Sequence, residues 1–171
     1  MDERAKIGGP EAYYFAADGV IPNSRQPLLV YRAGLAADAV AIEMAFAAHA
    51  WPPRWRSGVF PWHHFHPHAH EALGVASGQG RVLFGGPNGR EIALAAGDVA
   101  VVPAGVGHCG ISASGDLVIV GAYPAGTLDT AASRGETGAA ASVATVAMPA
   151  ADPVAGADGP LMALWGAATK A

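Results

Sequence analysis

From Gly58 to Pro124 the chain is cut by glycine or proline at intervals of about eight to twelve residues, and each piece between the cuts is a short apolar run. That cadence suits short strands joined by tight turns and leaves no room for long helices. The segment therefore reads as an all-β sandwich or barrel. Candidate strands cover residues 62–66, 71–76, 81–84, 91–95, 98–102, 108–111 and 117–123. Asn88-Gly89 supplies a hairpin turn between two of them. The preceding Gly85-Gly86-Pro87 belongs to that hairpin and is no phosphate loop, because no helix follows it.

The flanks have a different texture. Residues 1–12 read as a mobile leader, and Ile21-Pro22-Asn23 as a turn. Residues 27–31 are an apolar run with strand character, and 36–50 form one alanine-rich helix. That helix has Asp38 near its start, Val40, Met44 and Ala47 at helical spacing, and a stop at Pro52-Pro53. Trp51, Trp55 and Phe60 are expected to pack it against the next element. Residues 125–142 lack periodicity and read as a surface loop or a weak helix, and 146–165 as the last ordered segment.

At 171 residues the chain is expected to be a single domain, 1–171. A core at 58–124 is flanked by an N-terminal strand and helix (1–57) and a C-terminal loop and closing segment (125–171). Hydrophobic residues make up 51% and charged residues 14%, the balance of a packed globule. A net charge of −4 argues against nucleic acid, which needs a basic face, and against an anionic membrane. The charged start Met-Asp-Glu-Arg-Ala-Lys shows no signal peptide, and no apolar run approaches the ~18 residues of a membrane span. Cys109, the lone cysteine, excludes an internal disulfide and a thiolate cluster. A cytoplasmic protein is the simplest expectation.

Five of the seven histidines fall between His63 and His70, and a sixth, His108, follows a Gly/Pro turn about forty residues on. His64 and His66 are two apart, so on a strand both imidazoles leave the same face. Glu71 is far enough along for a turn to return it on a neighbouring strand. Three imidazoles and a carboxylate form a borderline N/O set that suits Fe, Mn, Ni, Cu or Zn. Alternation turns His63 and His70 away from the site, as partners behind the ligands or residues at the entrance. His70 would replace Glu71 as ligand if the turn were shifted by one residue. His63 and His68 also read as a histidine-rich surface turn. Cys109 reads as a small buried hydrophobe. Phe60, Trp62, Phe65, Phe84 and Tyr123 are candidates to line a pocket, or plain core. Arg54, Arg56 and Arg81 would either be solvated and paired with acids or hold a substrate carboxylate.

The two clusters resemble the paired signatures of the cupin superfamily, G-x5-H-x-H-x4-E-x6-G and G-x5-P-x-G-x2-H-x3-N. Gly58, His64, His66, Glu71 and Gly78 meet every position of the first. Gly97, Pro103, Gly105 and His108 meet four of the five in the second, with Ser112 where asparagine is usual. The resemblance implies a double-stranded β-helix jelly roll, here with one N-terminal helix. It also implies one divalent transition metal ion held by His64, His66, Glu71 and His108. Further stretches are similar to the bacterial YjlB-like single-domain cupins. They are Asp18 to Asn23, Trp55-Arg56-Ser57-Gly58, His63 to His66, His70 to Val75, Gly121-Ala122-Tyr123-Pro124, and Asp152-Pro153-Val154 with Gly159-Pro160-Leu161.

The expected function is a metal-dependent enzyme, dioxygenase-like before isomerase, acting on a small organic acid, enol or diol. The competing expectation is a non-catalytic small-molecule sensor or carrier whose metal assists the ligand or the fold. A homodimer is expected from the resemblance and from apolar material at 27–31 and 161–165 that could cover edge strands.

Overall fold

The apolar runs at 28–31, 99–102 and 118–122 become strands that are buried on both faces. The computed structural model describes residues 8–128, 131 and 138–170. In chain order the elements are β1 (Glu11–Phe15), β2 (Ser24–Tyr31), α1 (Ala39–Ala48), β3 (Pro53–Ser57), β4 (Glu71–Ser77), β5 (Gln79–Phe84), β6 (Arg90–Ala95), β7 (Val99–Val102), β8 (His108–Ala113), β9 (Val118–Ala122), α2 (Ala139–Ala144) and α3 (Pro160–Ala168). Six strands form one antiparallel sheet in the order β1-β2-β7-β4-β9-β3, and three form a second in the order β6-β5-β8. The expected β-sandwich is what the chain adopts.

Alternation along the strands divides the core in two. Leu28, Val30, Leu73, Val75, Ala100, Val102 and Ile119 leave the larger sheet toward the smaller one, where they meet Val82, Phe84, Ile92 and Leu94. Their neighbours Leu29, Tyr31, Ala72, Val99, Val101, Val120 and Ala122 leave the opposite face and pack under α1 and α3. A strand covered on both sides needs apolar residues at successive positions, as in β7, β9 and the buried stretch Leu28 to Tyr31 of β2. The hairpin at Asn88-Gly89 joins β5 to β6 as expected, with six residue pairs in register from Gln79↔Ala95 to Phe84↔Arg90.

Helix α1 starts where the Asp38 carboxylate accepts the amide of Ala41 at 2.8 Å. Its buried face is Ile42 and Phe46, while Val40 and Met44, whose spacing marked the helix, are exposed. An alanine-rich helix is apolar all round, so packing against the sheet chooses the face. It sits so close to β4 that a Cβ added at Gly74 would approach Ile42 to 2.6 Å. The C-terminal segment closes over the same face. Asp152, fully buried, accepts the amides of Val154 (2.8 Å), Ala155 (3.1 Å) and Leu161 (3.1 Å) and the Tyr31 hydroxyl (2.5 Å). Trp165 of α3 donates its indole N–H to Pro27 O at 2.9 Å.

Three elements depart from the sequence reading. Part of the supposed leader is β1, the edge strand paired with β2, and residues 1–7 lie outside the described ones. Residues 53–57 are strand β3, paired with β9 at the other edge. Residues 62–66 form no full strand, only the bridge His64↔His108. Of the loop 125–142, residues 129–130 and 132–137 lie outside the described ones, and the described end carries α2. Among the described residues, no helix is long and apolar enough to cross a membrane.

Candidate metal centre

Residues 58–66 cross from the edge strand β3 of the larger sheet to the edge strand β8 of the smaller one. Backbone bonds fix the crossing: Gly110 N to Phe60 O (2.8 Å), His64 N to His108 O (3.2 Å), His108 N to His64 O (2.9 Å), and Gly105 N to His66 O (2.9 Å). Two-residue alternation then points His64 and His66 the same way, toward the first residue of β8, His108. Glu71, the first residue of β4, faces them from the larger sheet.

The four side chains converge. The ligand nitrogens of His64, His66 and His108 all lie within 4.8 Å of one another. Glu71 Oε2 is 3.0 Å from His108 Nε2 and 3.2 Å from His66 Nε2. All four residues are buried. Beyond these ring contacts, Glu71 Oε2 has no hydrogen bond of sound geometry. The distances are those of hydrogen bonds, but the angles are not.

Tautomers sharpen the point. His64 Nδ1 lies 3.0 Å from Trp62 O and His108 Nδ1 lies 3.1 Å from Val106 O. Each carbonyl calls for the proton on Nδ1, and in the neutral ring that leaves Nε2 with the lone pair a metal ligand needs. In that form the His108 lone pair would face a carboxylate oxygen at 3.0 Å. Two acceptors in a dry site repel unless a cation or a proton lies between them. Burial first, then repulsion from His108, pulls the His64 pKa down to about 4, so this ring is neutral near pH 7. Burial alone would raise Glu71. The charge of His66, followed by contacts with His108 and His66, more than reverses that and holds the carboxyl well below its usual range. A neutral His64 beside an ionised Glu71 fits a divalent ion.

Glu71 is held from behind. Its Oε1 accepts the Tyr123 hydroxyl at 2.7 Å, and that hydroxyl oxygen accepts the indole N–H of Trp55 at 2.9 Å. Strands β4, β9 and β3 are neighbours in that order, so the relay runs straight across the sheet. Trp55 lies over Gly121 so closely that no side chain could stand there.

In front of the four side chains opens a cavity of about 350 Å³, walled by Trp55, Ser57, Val59, Phe60, Leu73 and Tyr123. Phe60 is therefore at the site. Trp62 stacks on it at 4.6 Å between ring centroids, outside the lining. Phe84 does not line the cavity as the sequence suggested. It is fully buried in the sandwich behind His108, 6.3 Å between ring centroids, because the alternation of β5 aims it between the sheets. Phe65 is likewise core.

His70 sits on the far side of β4, buried against Trp165 at 4.6 Å. Its Nδ1 accepts the Ala104 amide (2.9 Å) and its Nε2 faces Ala147 O (3.1 Å), so both nitrogens serve the fold and neither faces the cluster. His63 is half-buried, points elsewhere and acts electrostatically on Asp18, and His68 is exposed. Arg56 pairs with Glu43, Arg81 pairs with Glu91, and Arg54 is exposed. Cys109 is buried beside His108, and burial pushes its thiol up.

Trp55, Ser57, Val59 and Leu73 were not among the residues expected at the site. Residues 55, 57 and 59 share a parity, so recognising β3 as a strand would have placed them on one face.

The sequence matches the Cupin domain family over residues 55–121. It is 37% identical over 159 residues to the protein YjlB of Bacillus subtilis (strain 168), an alignment covering 91% of this chain and 96% of that protein. Among solved structures it is similar to an oxalate decarboxylase, with a TM-score of 0.36 and 22% identity over 63% of this chain and 23% of the other. Another is HEPD of Streptomyces albus with 2-hydroxyethylphosphonate and Fe(II) bound, with a TM-score of 0.28 and 14% identity over 67% and 24% of the two chains. The chain spans about a quarter of the length of these two solved proteins.

Proposed function

The chain belongs to the YjlB-like cupins, and from that premise we propose that it is a metal-dependent enzyme acting on a small organic acid, enol or diol. His64, His66, Glu71 and His108 would hold one divalent transition ion, of the Fe, Mn, Ni or Zn kind. The observation that carries the reading is the convergence of His108 Nε2 and His66 Nε2 on Glu71 Oε2 at 3.0 and 3.2 Å, in a buried cluster with His64. One cation between them would satisfy all four groups at once.

A divalent ion bound there would supply Lewis acidity toward a chelating oxygen pair and, as iron, a centre for dioxygen chemistry. The protein's own groups do the rest. Glu71 contributes one oxygen, because Tyr123 occupies the other. The carbonyls of Trp62 and Val106 keep the His64 and His108 rings in the ligating tautomer. Trp55, Val59, Phe60 and Leu73 limit water around the reacting molecule and orient it by shape. Dioxygenase-like chemistry is preferred to isomerisation, since among the described lining residues no carboxylate besides Glu71 is placed to move a proton.

The test is elemental analysis of the natively purified protein, followed by oxygen uptake with enolic and catecholic compounds on protein loaded with each ion. Stoichiometric metal that is lost in His108→Ala, together with uptake, is expected. Protein that binds none of these ions would end the reading. Metal without turnover, with a ligand recovered unchanged after denaturation, would favour the binding module instead. The engagement of Tyr123 with Glu71 is the observation on that side, since it occupies the one phenol in the described lining.

A further inference from the structure

The walls around the four ligands restrict what can reach them. A cavity of about 350 Å³ lies at the small end of ligand pockets, with room for roughly one ring and its substituents. Apart from the ligands, its described walls are apolar except for Ser57 and the Tyr123 hydroxyl, and the latter is engaged by Trp55 and Glu71. No lysine or arginine stands among the described lining residues. Of the two guanidiniums on β3, that of Arg56 is held by Glu43 at 2.6 and 2.8 Å and that of Arg54 is exposed. A second anionic group carried into this cavity would lose its hydration and meet no cation among the described lining residues.

The mouth carries the positive half of the signal. Phe60 and Trp62 are 50% and 49% exposed, yet they are stacked at 4.6 Å with only 10° between their planes. Phe60 also meets His64 edge-on at 5.3 Å and 66°. An aromatic path thus leads from the surface to a ligand ring. The pair is held by its backbone: Phe60 O accepts Gly110 N–H, and Trp62 O accepts the proton of His64 Nδ1. Two large aromatic rings kept half in water by bonds to the site itself are better explained by a ligand than by packing.

Resting on the metal reading above, we propose that the site selects a small aromatic or flat conjugated oxygen chelator, with no charged group beyond the chelating one. Phe60 supplies the ring contact and Trp62 braces it. Aromatic contacts of this kind are worth up to about tenfold in affinity. Dicarboxylates and phosphonates would be disfavoured by the same walls.

Three hydroxamates share one chelating head and separate the contributions: acetohydroxamate, benzohydroxamate and 4-carboxybenzohydroxamate. Dissociation constants are measured on the metal-loaded full chain, with metal content determined on every sample. The wild type should bind benzohydroxamate about tenfold more tightly than acetohydroxamate, and the carboxylated ring should forfeit that gain. Phe60→Ala and Phe60→Leu should abolish the aromatic preference and leave acetohydroxamate within about twofold. Trp62→Ala should reduce the preference in part. Equal affinities on metal-loaded wild type, or a Phe60→Leu loss shared equally by all three probes, would overturn the aromatic preference and leave the metal centre standing. So would Trp62→Ala altering only the oligomeric state. Wild type that holds no metal and binds no hydroxamate would bring down the metal reading and this one together.

Discussion

Replacing His70 by phenylalanine tests whether the histidine next to Glu71 serves the metal or the fold. In the folded chain the imidazole is 1% exposed, Nδ1 accepts the Ala104 amide, and Nε2–H donates to Ala147 O. Burial pulls its pKa from 6.5 down to about 4. A lowered folded value means that the unfolded chain takes up the proton first as pH falls. The stabilisation is complete above about pH 6.5 and declines as pH drops toward 4, where roughly 3 kcal/mol has gone. Phenylalanine keeps a ring against Trp165 but cannot ionise, and it leaves the Ala104 amide and the Ala147 carbonyl without their partner. Two stranded backbone groups cost about 3 kcal/mol at pH 7. The variant should therefore be about 3 kcal/mol less stable at pH 7, and the two proteins should approach equal stability near pH 4. His64 titrates in both and cancels from the difference. Urea unfolding of the metal-free proteins from pH 4 to 7.5, followed by fluorescence of the buried Trp51 and Trp165, measures the gap. A deficit of constant size across that range would refute the titration argument. Loss of metal binding in His70→Phe would place the ring among the ligands and overturn the geometry.

Three further outcomes follow from the site and its supports. Tyr123→Phe removes the donor to Glu71 Oε1 and strands the Trp55 indole N–H, so metal affinity should fall ten- to a hundredfold in competition with a chromophoric chelator. An unchanged affinity would show that the phenol does not hold the carboxylate. Metal at a hundredfold excess over its dissociation constant should add about 2.7 kcal/mol, or roughly 5–10 °C in Tm, and Glu71→Gln should abolish most of that gain. A full gain in the variant would put the ion elsewhere. Asp152→Ala leaves three amides and the Tyr31 hydroxyl without an acceptor and should cost at least about 3 kcal/mol by denaturant titration, with metal content unaltered. A loss below about 1 kcal/mol would contradict that role.

By itself the sequence determined whatever depends on fixed local spacing. His64 and His66 share a face because extended backbone repeats every two residues, and the glycines before His108 set where its strand begins. The hairpin at Asn88-Gly89 and the succession of short strands followed from turn chemistry and apolar runs cut by glycine and proline. Elements whose partners lie far along the chain were invisible. Edge strands β1 and β3 pair on one side only, so Glu11, Arg54 and Arg56 break the apolar rhythm that marks a strand. The inner face of α1 was undecided because nearly every position is alanine or apolar, and only contact with β4 and β9 selects Ile42 and Phe46. The destination of His70 waited on Trp165, Ala104 and Ala147, brought in from distant segments. The relay from Trp55 through Tyr123 to Glu71 exists because β3, β9 and β4 lie side by side. Strand order is a property of the packed sheet, since many orders satisfy the same local periodicity and only burial of the two cores distinguishes them.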